Sequence, residues 1–197
     1  MEDFMKLYEY LPVYENDGFL LRPVEKEDCS DLLEVYSDKN ALPFFNSDNC
    51  DGDIFYYADE NRMADAMKFW QTAYENQWFA RWAIVDKTVS KTVGTIELCL
   101  RASDDVFNGA GILRIDVRSG YEREEPLYGI GSLIIPPAFA LSECHELITK
   151  VPVYAVERAS AMRRLGFRKS EHYLIGKTGY AYDGYWSLLP PSKRALP

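Results

Sequence analysis

No stretch of this sequence comes near the run of about 20 apolar residues that a bilayer-spanning helix needs. Its first residues, Met1-Glu2-Asp3-Phe4-Met5-Lys6, have no basic region leading into an apolar one. A membrane partner and a secretory leader are therefore not expected, and the expected location is cytoplasmic. Basic residues are also in short supply: 22 Lys and Arg stand against 31 Asp and Glu, the formal net charge is -9, and no segment gathers the cations into a stripe. Such a surface repels a phosphate backbone, which excludes nucleic acid as a partner. The four cysteines, Cys29, Cys50, Cys99 and Cys144, are scattered without short paired spacing. This excludes a zinc knuckle and a dense disulfide framework and leaves reduced structural thiols. Cys144 and His145 are adjacent, but adjacent residues do not face one another on regular structure, so a thiol nucleophile with a histidine base is not expected. No metal is expected either. In Asp48-Asn49-Cys50-Asp51-Gly52-Asp53 the acidic spacing is wrong for alternating calcium ligands and no glutamate stands at the required distance, so the segment reads as a turn. Internal repeats and low-complexity tracts are absent.

What is present is a chain of 197 residues, 47% of them hydrophobic, enough for one domain with a real core. We take 1–197 as a single domain, with 1–17 as an N-terminal extension and 189–197 as a proline-rich tail. Residues 18–24 read as a strand, and Cys29, Leu32, Leu33 and Tyr36 follow at helical spacing. A loop over 41–57 rich in Asn, Asp and aromatics leads to a second amphipathic helix marked by Met63, Ala66, Met67, Trp70, Tyr74 and Gln77. Strand signals at 79–86 and 92–101 form a hairpin, and Leu113, Ile115 and Val117, alternating with Arg114 and Asp116, continue the meander. From about Arg123, Leu127, Ile130, Leu133, Ile134, Ala138 and Leu141 recur at helical intervals, although Gly129, Gly131 and Pro136-Pro137 should bend or interrupt that helix. A strand at 147–153 precedes a helix with Val156, Ala159, Met162 and Leu165 on its apolar face, stopped by Gly166 in a left-handed cap. Strands at 167–177 and 180–188 close the chain.

Antiparallel strands followed by a strand-helix-strand crossover give an α+β sheet of mixed direction. That order over the whole chain, with the ending Arg163-Arg164-Leu165-Gly166-Phe167, resembles the GNAT superfamily of acyl-CoA-dependent N-acyltransferases. Within it, Leu20-Leu21-Arg22-Pro23 through Asp28, Trp82-Ala83-Ile84-Val85-Asp86 and Val93-Gly94-Thr95-Ile96 are similar to enzymes that acetylate ribosomal-protein N-termini. The resemblance implies a mixed, mostly antiparallel central sheet of about seven strands flanked by about four helices. It further implies transfer of an acetyl group from acetyl-CoA, the co-substrate, to a small-molecule or peptide amine acceptor. A homodimer is left open.

By the same resemblance, the pantetheine arm lies on the exposed backbone of Ile115, Asp116 and Val117, and the diphosphate sits on the next helix N-terminus, where free N–H groups favour anions. The cofactor-binding candidates are then Ile115, Asp116, Val117, Arg118, Arg123, Glu124 and Glu125. Aminolysis also needs a base and an oxyanion donor. The catalytic candidates are Asp116 and Glu97 as carboxylates relaying the amine proton through water, Tyr154 as a hydroxyl entering from the strand end, and a backbone N–H near Val117 as donor. If 101–110 forms a simple hairpin loop, Glu97 lies opposite Arg114 and an ordinary cross-strand ion pair is its alternative reading. Phe44, Phe45, Phe55, Tyr56 and Tyr57 supply an aromatic wall for the acceptor.

Two departures from the family pattern go together. Matching the loop aromatic to Tyr121 puts Glu122 where the family has Gln or Arg, Glu125 at a glycine and Leu127 at Gly or Ala. Carboxylates there stabilise a helix N-terminus but oppose a diphosphate. Arg118 and Arg123 could offset them, by pairing with phosphate or with those glutamates. Shifting the match to Gly129-Ile130-Gly131 restores two glycines but shortens the following helix. In the later helix the family's Asn, eleven residues before the Gly-Phe pair, is Ala155, and its Tyr, four before it, is Met162. A fold that has lost acyl-CoA chemistry and serves as a small-molecule or protein-binding module is the competing expectation.

Overall fold

The structure, a computed structural model, describes residues 6–191. Residues 6–17 of the stretch read as an extension are built into the fold, and 1–5 lie outside the described residues. The helical turn α1 (Lys6–Glu9) and edge strand β1 (Tyr14–Glu15) bury Leu7 and Leu11, and the Pro12 carbonyl accepts the Trp82 indole N–H at 2.8 Å. Asn16 pins the segment by accepting from the N–H groups of Gly18 and Phe19 and donating to the Gly129 carbonyl. The predicted elements follow: β2 (Phe19–Pro23), α2 (Cys29–Tyr36) and α3 (Glu60–Glu75), the last started by the Asp59 carboxylate accepting the Arg62 N–H. The stripe of α3 faces inward, with Met63, Ala66, Trp70 and Ala73 buried. None of the four cysteines is bonded to another.

The meander is β3 (Ala80–Asp86), β4 (Lys91–Leu100) and β5 (Gly111–Val117), followed by α4 (Glu124–Ser142), β6 (Leu147–Lys150), α5 (Val156–Arg164) and the short strands β7 (Arg168–Lys169), β8 (Leu174–Ile175), β9 (Ala181–Tyr182) and β10 (Tyr185–Leu188). Eight strands form one sheet in the order β1-β2-β3-β4-β5-β6-β10-β7, and β8 and β9 form a separate hairpin. Every pairing is antiparallel except β5 with β6, which is parallel and covers only Gly111 with Leu147 and Ile112 with Ile148. Beyond Ile112, β5 has no strand partner on that edge. One face of the sheet carries Trp82, Ile84, Ile96, Leu98, Leu113, Ile115 and Val117 into a core with Leu127, Ile130, Ile134 and Met162 of α4 and α5. The other face carries Arg81, Thr95, Glu97, Arg114 and Asp116 beneath α2 and α3.

Four expectations change. Helix α4 runs unbroken through Pro136 and Pro137, each of which removes an N–H at a cost of about 3 kcal/mol. Burial of Leu127, Ile130, Ile134, Ile135 and Ala138 on the sheet, at roughly 1.5–3 kcal/mol for each large side chain, outweighs this. Gly129 and Gly131 lie past its first turn and serve packing: a Cβ on Gly131 would stand 2.5 Å from Leu165 Cδ1, and one on Gly129 3.3 Å from the Phe19 ring. Helix α5 keeps Met162 buried and Ala159 and Leu165 packed on the core as predicted, but it exposes Val156 and buries Arg158 and Ala161 as well. The two closing strands are cut into four. Gly179 and Gly184 take φ of +82° and +77°, turning β8–β9 into its own hairpin and returning β10 to the sheet beside β6.

Gly94 needs its missing side chain most. A Cβ there would lie 2.2 Å from the Asp116 carbonyl and 2.9 Å from Val117 Cα, both backbone. Gly94→Ala is expected to destabilise the fold by roughly 1–3 kcal/mol, while Gly129→Ala, which meets only a side-chain ring, costs less; urea unfolding of the two variants measures the difference.

Candidate functional site

The parted edge of β5 is the natural place for a ligand, and its own chain occupies it. Gly111 N–H donates across that edge to the Glu146 carbonyl at 2.9 Å, and alternate residues of a strand share an edge, so the Ile115 carbonyl faces the gap. Arg158 of α5 donates Nη2 to this carbonyl at 2.9 Å. The same guanidinium grips Glu122 with both arms, Nε to Oε1 at 2.6 Å and Nη2 to Oε2 at 2.7 Å. Arg158 and Glu122 are 2% and 8% exposed, so this fork is a buried, bidentate ion pair.

The start of α4 is also taken. The Glu124 N–H donates to Glu157 Oε2 at 2.8 Å, the Glu124 carboxylate accepts from Ser160 Oγ at 2.6 Å, and Glu125 pairs with Arg164 at 2.6 Å. Beside these groups lies an open cavity of about 550 Å³ lined by Phe19, Arg123, Glu124, Glu125, Pro126 and Glu157. Arg123 donates Nε to the Gly120 carbonyl, and Arg118 pairs with Glu34 at 2.7 Å rather than with the loop glutamates.

Under α2 and α3 the other face holds a charged network. Glu97 lies directly opposite Arg114 and Arg81 in the ladder and pairs with both, Arg81 through Nη2 and Arg114 through Nη1. Burial pushes the Glu97 carboxyl up, but the guanidiniums of Arg114 and Arg81 more than reverse this and hold it below its usual value. Asp116 is fully buried, accepts from Tyr36 Oη at 3.1 Å, and lies 3.6 Å from Arg81 Nη1. Its other oxygen, Oδ1, has no hydrogen-bond partner among the described residues. Here burial dominates, and the carboxyl titrates above its usual range despite Arg81 and Arg158 nearby. Glu97 and Asp116 thus share a face and a common partner in Arg81, whereas Val117 is buried in the opposite core. The loop that was to wall the acceptor is latched down: Asp48 accepts from Lys150 at 2.5 Å and Tyr185 at 3.1 Å, and Phe45 and Tyr57 pack on Tyr36 as core. Tyr154 stands apart, 58% exposed, its hydroxyl donating to the Pro43 carbonyl at 2.5 Å.

No protein-family model matches this sequence, and no curated protein matches it. Solved structures do. A GNAT-family acetyltransferase from Bacillus anthracis superposes with a TM-score of 0.66 at 13% identity, over 90% of this chain and 98% of that one. This chain has the GNAT fold. The ribosomal-protein-S5-alanine acetyltransferase of Vibrio fischeri gives 0.66 at 14% identity over 93% and 100% of the two chains. Spermidine N-acetyltransferase from Vibrio cholerae, in complex with CoA and spermine, gives 0.61 at 11% identity over 88% and 96%. At such identities the likeness is one of fold.

The resemblance drawn from the sequence implies a pantetheine arm on the Ile115 edge and a diphosphate on the start of α4. The residues here do not fit that group. Arg158 caps the edge carbonyl, Glu157 takes the Glu124 N–H, and the cavity at the start of α4 is lined by Glu124, Glu125 and Glu157 beside Arg123, with Arg164 paired to Glu125. Glu122 marks itself in the sequence as a departure from the loop pattern; Arg158 belongs to no such motif. Its signal was available, since Ala155, Arg158 and Met162 fall at i, i+3 and i+7 and place an arginine on the same helix face as the two departures already recognised.

Proposed function

We propose that this chain is a GNAT-fold binding protein in which the family's acyl-CoA groove has been closed by its own side chains. The observation that carries this reading is the buried Arg158–Glu122 fork on the Ile115 carbonyl. An incoming amide would have to displace a charge-assisted hydrogen bond and strand a buried carboxylate, while Glu124, Glu125 and Glu157, offset only in part by Arg123 and Arg164, oppose its diphosphate. Isothermal titration with acetyl-CoA and with desulfo-CoA is expected to give no heat, and thermal unfolding no shift, at millimolar ligand. Saturable binding of either one overturns the reading.

One observation favours a second reading, N-acetyl transfer from acetyl-CoA to an amine acceptor: β5 and β6 part after Ile112 and Ile148, as a groove on that edge requires. On that reading Arg158 leaves the Ile115 carbonyl before the groove can be used, and Asp116 or Glu97 is the candidate base. Mass spectrometry for an acetylated polyamine or peptide N-terminus after incubation with acetyl-CoA decides between the two. Among the described residues no helix is long and apolar enough to cross a membrane.

A further inference from the structure

A second cavity, of about 660 Å³, opens between the N-terminal segment, the end of β2 and the inner side of α3, and its size suits a small organic molecule. Leu11, Pro23, Val24, Met67, Trp70 and Tyr74 give it largely apolar walls. None of its lining residues lines the cavity at the start of α4 or belongs to the Arg158–Glu122 fork, so the two places are separate.

The class of ligand follows from where the polar lining groups are spent. Arg81 is the buried charge among them, and it offers a ligand nothing: its terminal nitrogens donate to Tyr36, Thr95 and Glu97, the Trp70 ring covers the guanidinium from 4.4 Å, and Nε is closed off from solvent. Tyr74 donates its hydroxyl to the Leu7 carbonyl at 3.0 Å, Gln71 donates to Glu75 at 3.0 Å, and the Cys29 thiol turns to the Glu60 carbonyl at 3.8 Å. At the rim Glu25 pairs with Arg22 and Lys68 with Asp65, each at 3.7 Å, which leaves the exposed Glu9 and Lys26, opposite in sign. A charged molecule entering here would lose its water and find no free counter-charge inside, which burial of apolar surface does not offset. A neutral one loses little and gains contact with two aromatic rings and a thioether.

We propose that this cavity is a binding site for a neutral, largely apolar organic molecule, held along Met67, Trp70 and Tyr74. N-Phenyl-1-naphthylamine is the probe, 1-anilinonaphthalene-8-sulfonate is the same ring system with one negative charge, and 1-naphthylmethylammonium is an aromatic cation. Fluorescence titration of the wild-type protein is expected to give one saturable site for the neutral probe, with at least about tenfold weaker binding of the sulfonate and, by competition, of the cation. Ala64→Trp, which fills the cavity from a half-buried position of α3, is expected to weaken the neutral probe by at least about tenfold. Cys29, in the lining, reports occupancy without a variant: its alkylation by N-ethylmaleimide, read by peptide mass mapping, should slow by about tenfold at about ten times the probe's Kd, while that of Cys50, outside the lining, stays unchanged. Absence of a saturable site, a charged comparator binding as tightly as the neutral probe, an unprotected Cys29, or binding unchanged in Ala64→Trp overturns the proposal. So does binding that rises only as a dimer dissociates in sedimentation, which would make a second copy of the chain the occupant. Acetyl-CoA titration of the same wild-type protein reads the groove separately, so failure of one idea leaves the other measurable.

Discussion

Replacing Arg158 alone, as Arg158→Met, is expected to cost about 3–5 kcal/mol of folding stability, whereas Arg158→Met with Glu122→Leu is expected to fold about as well as the wild type or better. The asymmetry comes from burial. Glu122 is 8% exposed and spends both oxygens on Arg158, so losing the arginine leaves a carboxylate in the core with neither water nor a cation. Removing both replaces two desolvated charges with apolar volume beside Leu127 and Met162, which are already buried there. Urea unfolding of the two single variants and the double variant forms a double-mutant cycle. A coupling below about 1 kcal/mol, as for an exposed ion pair, would show that the fork is not the closed element inferred here.

The fork also explains why the cofactor question was only half legible in the sequence. Glu122 could be seen to violate the loop pattern, because a local motif carries its own expectation for each position. Its partner lies 36 residues away on another helix, and pairing over that distance is set by how α5 rolls onto the sheet. The apolar reading of α5 chose Val156, Ala159, Met162 and Leu165 as its inner face; the last three do face the core, while Val156 is exposed and Arg158 is buried. A buried ion pair thus sits beside the apolar residues on the inner side of this nine-residue helix, where no apolar count could place it. Regular alternation was easier to read. Placing Glu97 opposite Arg114 needed only a hairpin and a period of two, and the ladder has that register. Less regular features were harder: the proline pair inside α4 is tolerated through burial that no local rule records, and the left-handed glycines that cut the last strands act through tertiary pairing. Tyr154 and the aromatic loop were given their roles by the family resemblance, and packing has divided those residues between core and surface.

Glu97→Gln is expected to be the second large loss, about 3–5 kcal/mol near neutral pH, because it strips the counter-charge from two buried guanidiniums at once. A carboxylate kept only as a proton relay would cost far less to neutralise. The pH dependence separates the two cases. Burial raises the Glu97 carboxyl, but Arg114 and Arg81 pull it below its ordinary 4.5, so its contribution is present above that value and is lost as pH falls through the depressed one. Wild type and Glu97→Gln should therefore converge in stability on acidification below about pH 4.5. Asp116 has the opposite sign: raised above 3.8 by burial, it contributes stability at lower pH and loses it as pH rises, so Asp116→Asn should relieve strain at neutral pH rather than mirror the Glu97 variant. Chemical unfolding of the three proteins from pH 3 to pH 8 checks both signs. If Glu97→Gln proves neutral in stability across that range, Glu97 is free of the structural duty assigned to it, and its candidacy as a base in this fold becomes the stronger reading.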